Sequence, residues 1–484
     1  MNIKKGDEFE LNISSYAFEG RGIARIKSSL FFPDEFREDE EANYVVFVDG
    51  SYPGDTVKAK LTAIKKNYAE AKVVEVINPS TDRIKPDCNY FEYCGGCKQQ
   101  DINYETQLRY KQMQVKEVFQ KIGGVEDPVI EPIKPSENIF FYRNKMEFSF
   151  TKKRWLTPSE IESKQKYNDP FALGLHVPGL YDKVINVENC LLQSELSNRI
   201  LNFTRKFFVE SGKDAYDTKT HTGFLRNLVI RQSQHLPEVM VNLVTFYEDD
   251  DLVRDYSKEL ERRFKQVTTV VNNINLKKAA VAVGDFEKVF IGDGIIHDKI
   301  WNYKFRISSN SFFQTNTKQA EVLYQTAVDF AQFSGREVVY DLYSGAGTIS
   351  IFISKLVKEV VGFETVRSAV EDAQHNLELN NVNNVECKTA DLNKSFLKLI
   401  NEYQLKLPET VIIDPPRSGM HKTTISDVVT LSPFKIVYIS CNPATQARDV
   451  KDFIAAGYKL VKMCPVDMFP HTYHIENVAL LIKA

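Results

Sequence analysis

Val338-Val339-Tyr340-Asp341-Leu342-Tyr343-Ser344-Gly345-Ala346-Gly347 decides the fold of the C-terminal part of the chain. An apolar run of strand length stops at a turn punctuated by glycines, and a helix-forming stretch follows. Open α/β sheets bind their ligands at that junction. The alternation recurs downstream, with short apolar runs at 360–363, 385–387, 410–413 and 436–439 separated by amphipathic stretches. Such runs predict a parallel sheet buried on both faces. Two last strands, near 459–463 and 478–482, are expected to form a tight antiparallel hairpin at the sheet edge. The predicted fold class is α/β, with a Rossmann-like domain over 309–484.

Working outward, residues 79–308 mix strands such as Lys145-Met146-Glu147-Phe148-Ser149-Phe150 with helices, starting with a polar helix from about 104 to 123. They read as a mixed α+β central domain. Residues 1–78 hold short β-type runs between turn signals at Gly20-Arg21-Gly22, Asp49-Gly50 and Pro53-Gly54. So many strands in so short a span predict an OB-type β-barrel, an architecture that binds oligonucleotides.

Composition narrows the class. A chain of 484 residues can bury several cores. Its 62 basic and 65 acidic residues leave a net charge of −3, which excludes a uniformly cationic surface but not local patches. Lys58, Lys60, Lys65, Lys66 and Lys72, opposed by Glu70, fit either a solvated strand pair or a phosphate-contacting face. No apolar stretch approaches the ~20 residues of a membrane span. Met1-Asn2-Ile3-Lys4-Lys5-Gly6-Asp7 lacks the apolar centre of a signal peptide, so a cytoplasmic protein is expected. Seven cysteines, an odd number, argue against a disulfide framework.

Each strand end of the C-terminal sheet offers a residue suited to a ligand. Tyr343 and Gly345-x-Gly347 follow the first strand, Glu364 ends the second, and Asp391 ends the third. An acid at the second position can take both ribose hydroxyls; one at the third could bind an adenine amine. Asp414-Pro415-Pro416-Arg417 ends the fourth. A lone Gly-x-Gly is weak evidence, and a nicotinamide cofactor is its rival. The third glycine of that fingerprint is missing, since Ile349 and Ser350 follow Thr348, and S-adenosylmethionine fits better. At the fifth strand end stands Ser440-Cys441-Asn442-Pro443-Ala444-Thr445. A cysteine there is, alone, more often an inert buried thiol. Beside an Asp-Pro-Pro loop it reads as a nucleophile. Upstream, Cys88, Cys94 and Cys97 follow a C-x5-C-x2-C spacing, while Cys387 and Cys464 fall in predicted strands and are expected in the core.

Taken together, Asp414-Pro415-Pro416-Arg417-Ser418-Gly419, the run from Ser440 to Asp449 and His474-Ile475-Glu476-Asn477 resemble the RNA 5-methyluridine methyltransferases. The segments 222–231 and 310–316 are also family-like, and the likeness covers nearly the whole chain. The resemblance implies a TRAM barrel over 1–78 and RNA as partner. It implies Cys441 as nucleophile, Glu476 as general base, and Gln314, Tyr343, Glu364 and Asp414 as contacts to S-adenosylmethionine. Cys88, Cys94 and Cys97 with Cys190 resemble the [4Fe–4S] ligands of the ribosomal-RNA members, although zinc suits four thiolates equally well. Barrel and cluster ligands together point to 23S rRNA rather than tRNA. A monomer is expected. An insertion-like stretch at 28–41 departs from the pattern inside the barrel.

The chemistry explains the residues. Carbon 5 of uridine is a poor nucleophile until a thiolate adds to carbon 6 and leaves carbanion character at carbon 5. That carbon then takes a methyl group, and its proton must leave before the thiolate does, which requires a base. The thiolate calls for a lowered pKa, from nearby positive charge or the helix expected to start near Thr445. A flipped base calls for an aromatic wall, with Phe312 and Phe313 as candidates. Three readings compete: a tRNA uridine-C5 methyltransferase, a cytosine-C5 methyltransferase and a non-catalytic RNA-binding factor. Cytosine enzymes commonly carry another cysteine beside the Asp-Pro-Pro-like loop, where Ser418 and Gly419 stand here. Cys441, Glu476 and Asp414 speak against a non-catalytic factor.

Overall fold

The computed structural model describes residues 3–28, 31, 43–163, 170–278 and 284–484. Most of the insertion-like stretch at 28–41 lies outside the described residues.

The N-terminal unit is a six-stranded sheet of β1 (Glu8–Asn12), β2 (Ser15–Ala17), β3 (Arg21–Lys27), β4 (Asn43–Asp49), β5 (Thr56–Ile64) and β6 (Tyr68–Asn78), in the order β1-β5-β6-β4-β3-β2. Alternation along β5 sends Val57, Ala59 and Leu61 inward and Lys58 and Lys60 outward. Strand β1 also meets β3, so the sheet curls round a core of Leu11, Val46, Val48 and Val57. On the lysine-bearing face Lys58 pairs with Glu8 at 2.9 Å, and Lys60 stands opposite Lys72. Arg83 ties the unit down, bonding Asp55 at 2.8 Å and Asp101 at 2.5 Å beneath the Tyr52 ring.

The polar helix expected from about 104 to 123 is α1 (Tyr104–Lys121). Behind it comes an eight-stranded sheet of β7 (Lys145–Thr151), β8 (Arg154–Trp155), β9 (Ala172–Val177), β10 (Leu180–Asn186), β11 (Leu225–Gln232), β12 (Val239–Thr245), β13 (Val267–Ile274) and β14 (Phe286–Ile291). Its order is β14-β13-β12-β11-β7-β9-β10-β8. A short helix, α2 (Pro158–Glu162), follows β8, while α3 (Glu195–Ser211) and α4 (Asp250–Arg263) lay Ile200, Phe208, Tyr256 and Leu260 on the sheet.

Two stretches within 79–308 pack elsewhere. Val115, Val118 and Phe119 of α1 join one core of the C-terminal sheet, and Ile130 and Lys134 bridge to Met463 and Val466. The hairpin of β15 (Ile295–Ile300) and β16 (Tyr303–Ser308) gives Ile296, Phe305 and Ile307 to the other core. Their apolar faces fit that sheet, a partnership that a boundary drawn along the sequence hides.

The C-terminal sheet contains β17 (Val338–Leu342), β18 (Glu359–Glu364), β19 (Val385–Thr389), β20 (Thr410–Ile413), β21 (Lys435–Ser440), β22 (Tyr458–Val466) and β23 (Glu476–Lys483). The order is β19-β18-β17-β20-β21-β23-β22, with the first five parallel as predicted. Its faces are covered by α5 (Thr317–Ala331), α6 (Thr348–Ile353) and α7 (Arg367–Leu379) on one side and by α1, α8 (Leu397–Glu402), α9 (Lys422–Leu431) and α10 (Pro443–Ala455) on the other. Cys387 and Cys464 are core residues, as expected. The last two strands pair antiparallel, but not as a tight edge hairpin. Residues 467–475 join them, and β23 inserts between β21 and β22, antiparallel to both. Among the described residues no helix is long and apolar enough to cross a membrane.

Candidate active site

The insertion of β23 brings together residues that are far apart in the chain. Ser440 opposes Asn477 in the last rung of the ladder, and Cys441 and Glu476 each lie one residue beyond it. Opposed residues of an antiparallel pair lie roughly 5 Å apart at Cα and face the same side. Burial, then the Glu476 and Asp414 carboxylates, push the Cys441 thiol up to about 12, against the pull of Arg417. Glu476 is 6% exposed and held well above the usual carboxylate range by burial and Asp414. The helix expected near Thr445 does begin there: Asn442 caps α10, accepting from the Ala444 amide at 3.0 Å. Even so, the lowered thiol pKa expected from that helix is absent, because burial and two acids outweigh its N-terminus.

Arg417 and His474 were quoted within motifs but given no role. The Arg417 carbonyl accepts from Asn442 Nδ2 at 3.1 Å and Thr445 Oγ1 at 3.3 Å, locking the Asp-Pro-Pro-Arg loop to the cap beside Cys441. Its guanidinium Nη2 stands 3.1 Å from His474 Nδ1. A cation among acids at a strand end was the available signal.

At the end of β17 the backbone turns left-handed at Tyr343 (φ 68°), Gly345 (φ 54°) and Gly347 (φ 77°). Glu364 props this loop: Oε2 accepts from the Gly345 amide at 2.9 Å and Oε1 from the Val366 amide at 2.8 Å. Tyr343 turns its hydroxyl toward Thr424 and the His421 backbone, leaving its ring and backbone at the loop. Under the loop Asp341 accepts from Ser350 Oγ at 2.6 Å, while its Oδ1 is buried without a partner. Burial pushes Asp341 up to about 7, and burial plus the Asp341 charge does the same to Asp414. Gln314 is held by Asn144, whose Nδ2 donates to its carbonyl at 2.8 Å, and its side chain bonds the Tyr324 hydroxyl.

Tyr324 was missed. Its hydroxyl lies 3.3 Å from Thr348 Oγ1 and within the field of Asp414. The α5 pattern marks it as inward-facing but cannot reveal that it reaches the strand ends. Asp391 instead serves its own loop, accepting from the Asn393 amide at 3.1 Å and pairing with Lys394. Of the two aromatic candidates, Phe312 is 73% exposed and Phe313 belongs to the core.

The cysteine loop lies apart from this cleft, against the central core. Burial raises the thiols of Cys88, Cys94, Cys97 and Cys190, and at the last three the charge of neighbouring cysteines raises them further. The Gly96 amide donates to Cys94 Sγ at 3.3 Å and Gln100 Nε2 to Cys97 Sγ at 3.2 Å. Among the described residues, no three His, Cys, Asp or Glu side chains converge closely enough to hold a metal ion.

The same loop grips the connection that leads into Glu476. Amides of Lys98 and Gln99 donate to the His471 carbonyl at 2.8 and 3.1 Å, and the His471 amide donates to Gln107 Oε1 at 2.9 Å. Lys111 Nζ meets Asp467 Oδ1 at 2.6 Å, both side chains sealed from solvent, and the Tyr104 hydroxyl donates to Oδ2 at 2.8 Å. Lys111→Ala strands the Asp467 charge in the interior. Breaking such a pair costs ~3–5 kcal/mol, so the urea midpoint should fall clearly; an unchanged midpoint would contradict this account.

A glycine loop and acid-tipped parallel strands, joined to a curled strand domain, define a transferase for a nucleoside cofactor carrying an oligonucleotide-binding unit. The sequence pattern of the tRNA (uracil-5-)-methyltransferase family matches residues 232–484, and that of the TRAM domain matches residues 3–74. An uncharacterized RNA methyltransferase of Chlorobaculum tepidum is 40% identical over 100% of this chain and 98% of its own length. One from Bacteroides thetaiotaomicron is 38% identical over 96% and 99%. The Pyrococcus abyssi tRNA (uracil-54, C5)-methyltransferase, solved in complex with S-adenosyl-L-homocysteine, matches with a TM-score of 0.73 at 27% identity, covering 98% of this chain and 99% of that one. The chain belongs to the tRNA (uracil-5-)-methyltransferase family and carries a TRAM domain. The resemblance read from the motifs is borne out.

Proposed function

We propose that the protein transfers the methyl group of S-adenosylmethionine to carbon 5 of a uridine in 23S rRNA through a covalent adduct on Cys441. The nearness of Cys441 to the Glu476 and Asp414 carboxylates, just past the last rung of the β21–β23 ladder, carries this reading. S-adenosylmethionine, when bound, supplies an electrophilic methyl group and a positive charge. Gln314, from the segment leading into α5, and Tyr343, Glu364 and Asp414, at the carboxyl ends of the strands, are the residues to hold it. The Cys441 side chain, as the thiolate, adds to carbon 6, the carbon 5–carbon 6 double bond opens toward the carbonyl at carbon 4, and carbon 5 takes the methyl as the methyl–sulfur bond breaks and S-adenosylhomocysteine is left. Glu476 then removes the proton from carbon 5, the double bond re-forms, and the thiolate leaves. Phe312 is available to stack on the flipped base.

The acids make cofactor binding depend on pH. Asp341 and Asp414 are pushed up to about 7, so the folded chain holds these protons more tightly than the unfolded one. Their contribution to stability is complete below about pH 4 and is lost as pH rises through about 7. A bound cation favours the ionised acids. The thermal shift produced by S-adenosylmethionine should therefore be larger at about pH 8 than at about pH 6; equal shifts would refute the link.

Cys88, Cys94, Cys97 and Cys190 are the residues to hold a [4Fe–4S] cluster. Their burial, mutual proximity and amide donors suit cluster sulfurs. Iron and sulfide content after anaerobic purification, with Cys88→Ser as control, tests it. The resemblance of the cysteine set favours ribosomal RNA; the family's description and the P. abyssi enzyme, whose match over 98% of the chain takes in the barrel, favour tRNA as the second reading. Mapping 5-methyluridine in both RNAs from a strain lacking the protein decides between them. A monomer acting on RNA in the cytoplasm is part of the same reading.

A further inference from the structure

The central sheet carries a cavity of about 370 Å³ that the methyl-transfer chemistry leaves unused. It opens over the far ends of β7 and β9 and is closed by the 214–224 segment and Lys278. Its volume falls within the ~300–1,000 Å³ of small-ligand sites. The floor is polar: Ser149 Oγ lies 3.0 Å from His176 Nε2 and accepts from Asn227 Nδ2 at 3.2 Å. The wall is aromatic, with Tyr181 at 69% exposure beside the mouth.

The rim is cationic. Lys152, Lys153, Lys219, Arg226 and Lys278 face only two carboxylates, Asp182 and Asp217. Arg226 is structural, its Nη1 donating to the carbonyls of Asn275 at 2.8 Å and Lys277 at 2.6 Å, which fixes the base of the Lys278 segment. Lys153 is neutralised by Asp182 at 3.0 Å, and Lys152 pairs with Asp214 at 2.8 Å. Lys219 meets Asp182 only at 3.9 Å, and among the described residues no ion pair engages Lys278. Five cations against Asp182, Asp214 and Asp217 leave two positive charges uncompensated at the rim, with Lys219 and Lys278 the least tightly held.

A hydrogen-bonding floor, a stacking ring and unneutralised ammonium groups are the three parts of a site for an unpaired nucleotide. We propose that this cavity is a second RNA subsite, taking one unpaired nucleotide with its base on Tyr181 and its phosphates on Lys219 and Lys278. The inference rests on RNA being the substrate. Strand β7 links the subsite to the cleft, since Asn144, just before its first residue, holds Gln314. At ~3.3 Å per residue the cavity lies roughly 20 Å along that strand. Its occupant is thus not the methylated uridine but another nucleotide of the same RNA, which would set the register of the substrate.

Tyr181→Ala and the pair Lys219→Ala/Lys278→Ala test this in the full chain, with unmodified 23S rRNA and tRNA transcripts as probes. Either change should weaken binding of the cognate RNA and raise its KM roughly tenfold, leaving kcat and the KM for S-adenosylmethionine within twofold. The salt dependence of binding should fall by about 0.7 in log–log slope per lysine removed. A photoreactive side chain at position 181 should cross-link to a nucleotide other than the modified one. Unchanged affinity and slope in both variants would overturn the subsite. Wild-type chain that binds RNA but methylates neither transcript would overturn the proposed function instead, and the binding data would still judge the subsite.

Discussion

Cys441→Ala should abolish methyl transfer, with kcat falling on the order of 10⁴-fold or more, the scale seen when a catalytic nucleophile is removed. Without the thiol, carbon 5 of uridine never gains the electron density to take a methyl group. Cofactor affinity should change little, because Cys441 is not among the residues assigned to hold the cofactor. Removing the thiol also leaves Asp414, whose field falls on it, in place. Isothermal calorimetry with S-adenosylmethionine and a tritium-transfer assay on RNA read the two halves separately. Measurable turnover in this variant would end the covalent mechanism.

Glu476→Gln should stop the cycle one step later. The amide keeps the shape of the side chain but cannot take the carbon 5 proton, so the methylated adduct has no route to release the thiolate. Turnover should drop ~10²–10⁴-fold, and RNA should migrate with the protein as a slower band under denaturing conditions. The electrostatics sharpen this. Among the charges raising the Cys441 thiol Glu476 comes first, so its neutral replacement should not hinder adduct formation. Lost turnover without an accumulating adduct would place the base on another residue.

The alternation of apolar runs was enough for the parallel sheet, because each buried strand writes its own short pattern. The glycine turn at 345–347 and the acids Glu364 and Asp414 were legible for the same reason: strand ends place them automatically. Pairing across distance was not legible. Nothing local to 104–134 announces that Val115 and Phe119 belong on the C-terminal sheet, or that β23 would enter between two earlier strands. Local chemistry also misled at Cys441. Its helix N-terminus is visible in Asn442-Pro443, but the acids that overrule it arrive from β20 and β23. Tyr324 and the Lys111–Asp467 pair depend on contacts between elements far apart along the chain, and no periodicity encodes those.

The late entry of β23 bears on the fate of incomplete chains. Until residue 476 and its successors exist, β21 and β22 cannot be joined, since each pairs with β23 and not with the other. A fragment released by a premature stop would expose two open, apolar strand edges, the kind of surface that recruits other chains into aggregates. Such fragments should be cleared by cellular proteases rather than persist as inactive decoys competing for RNA.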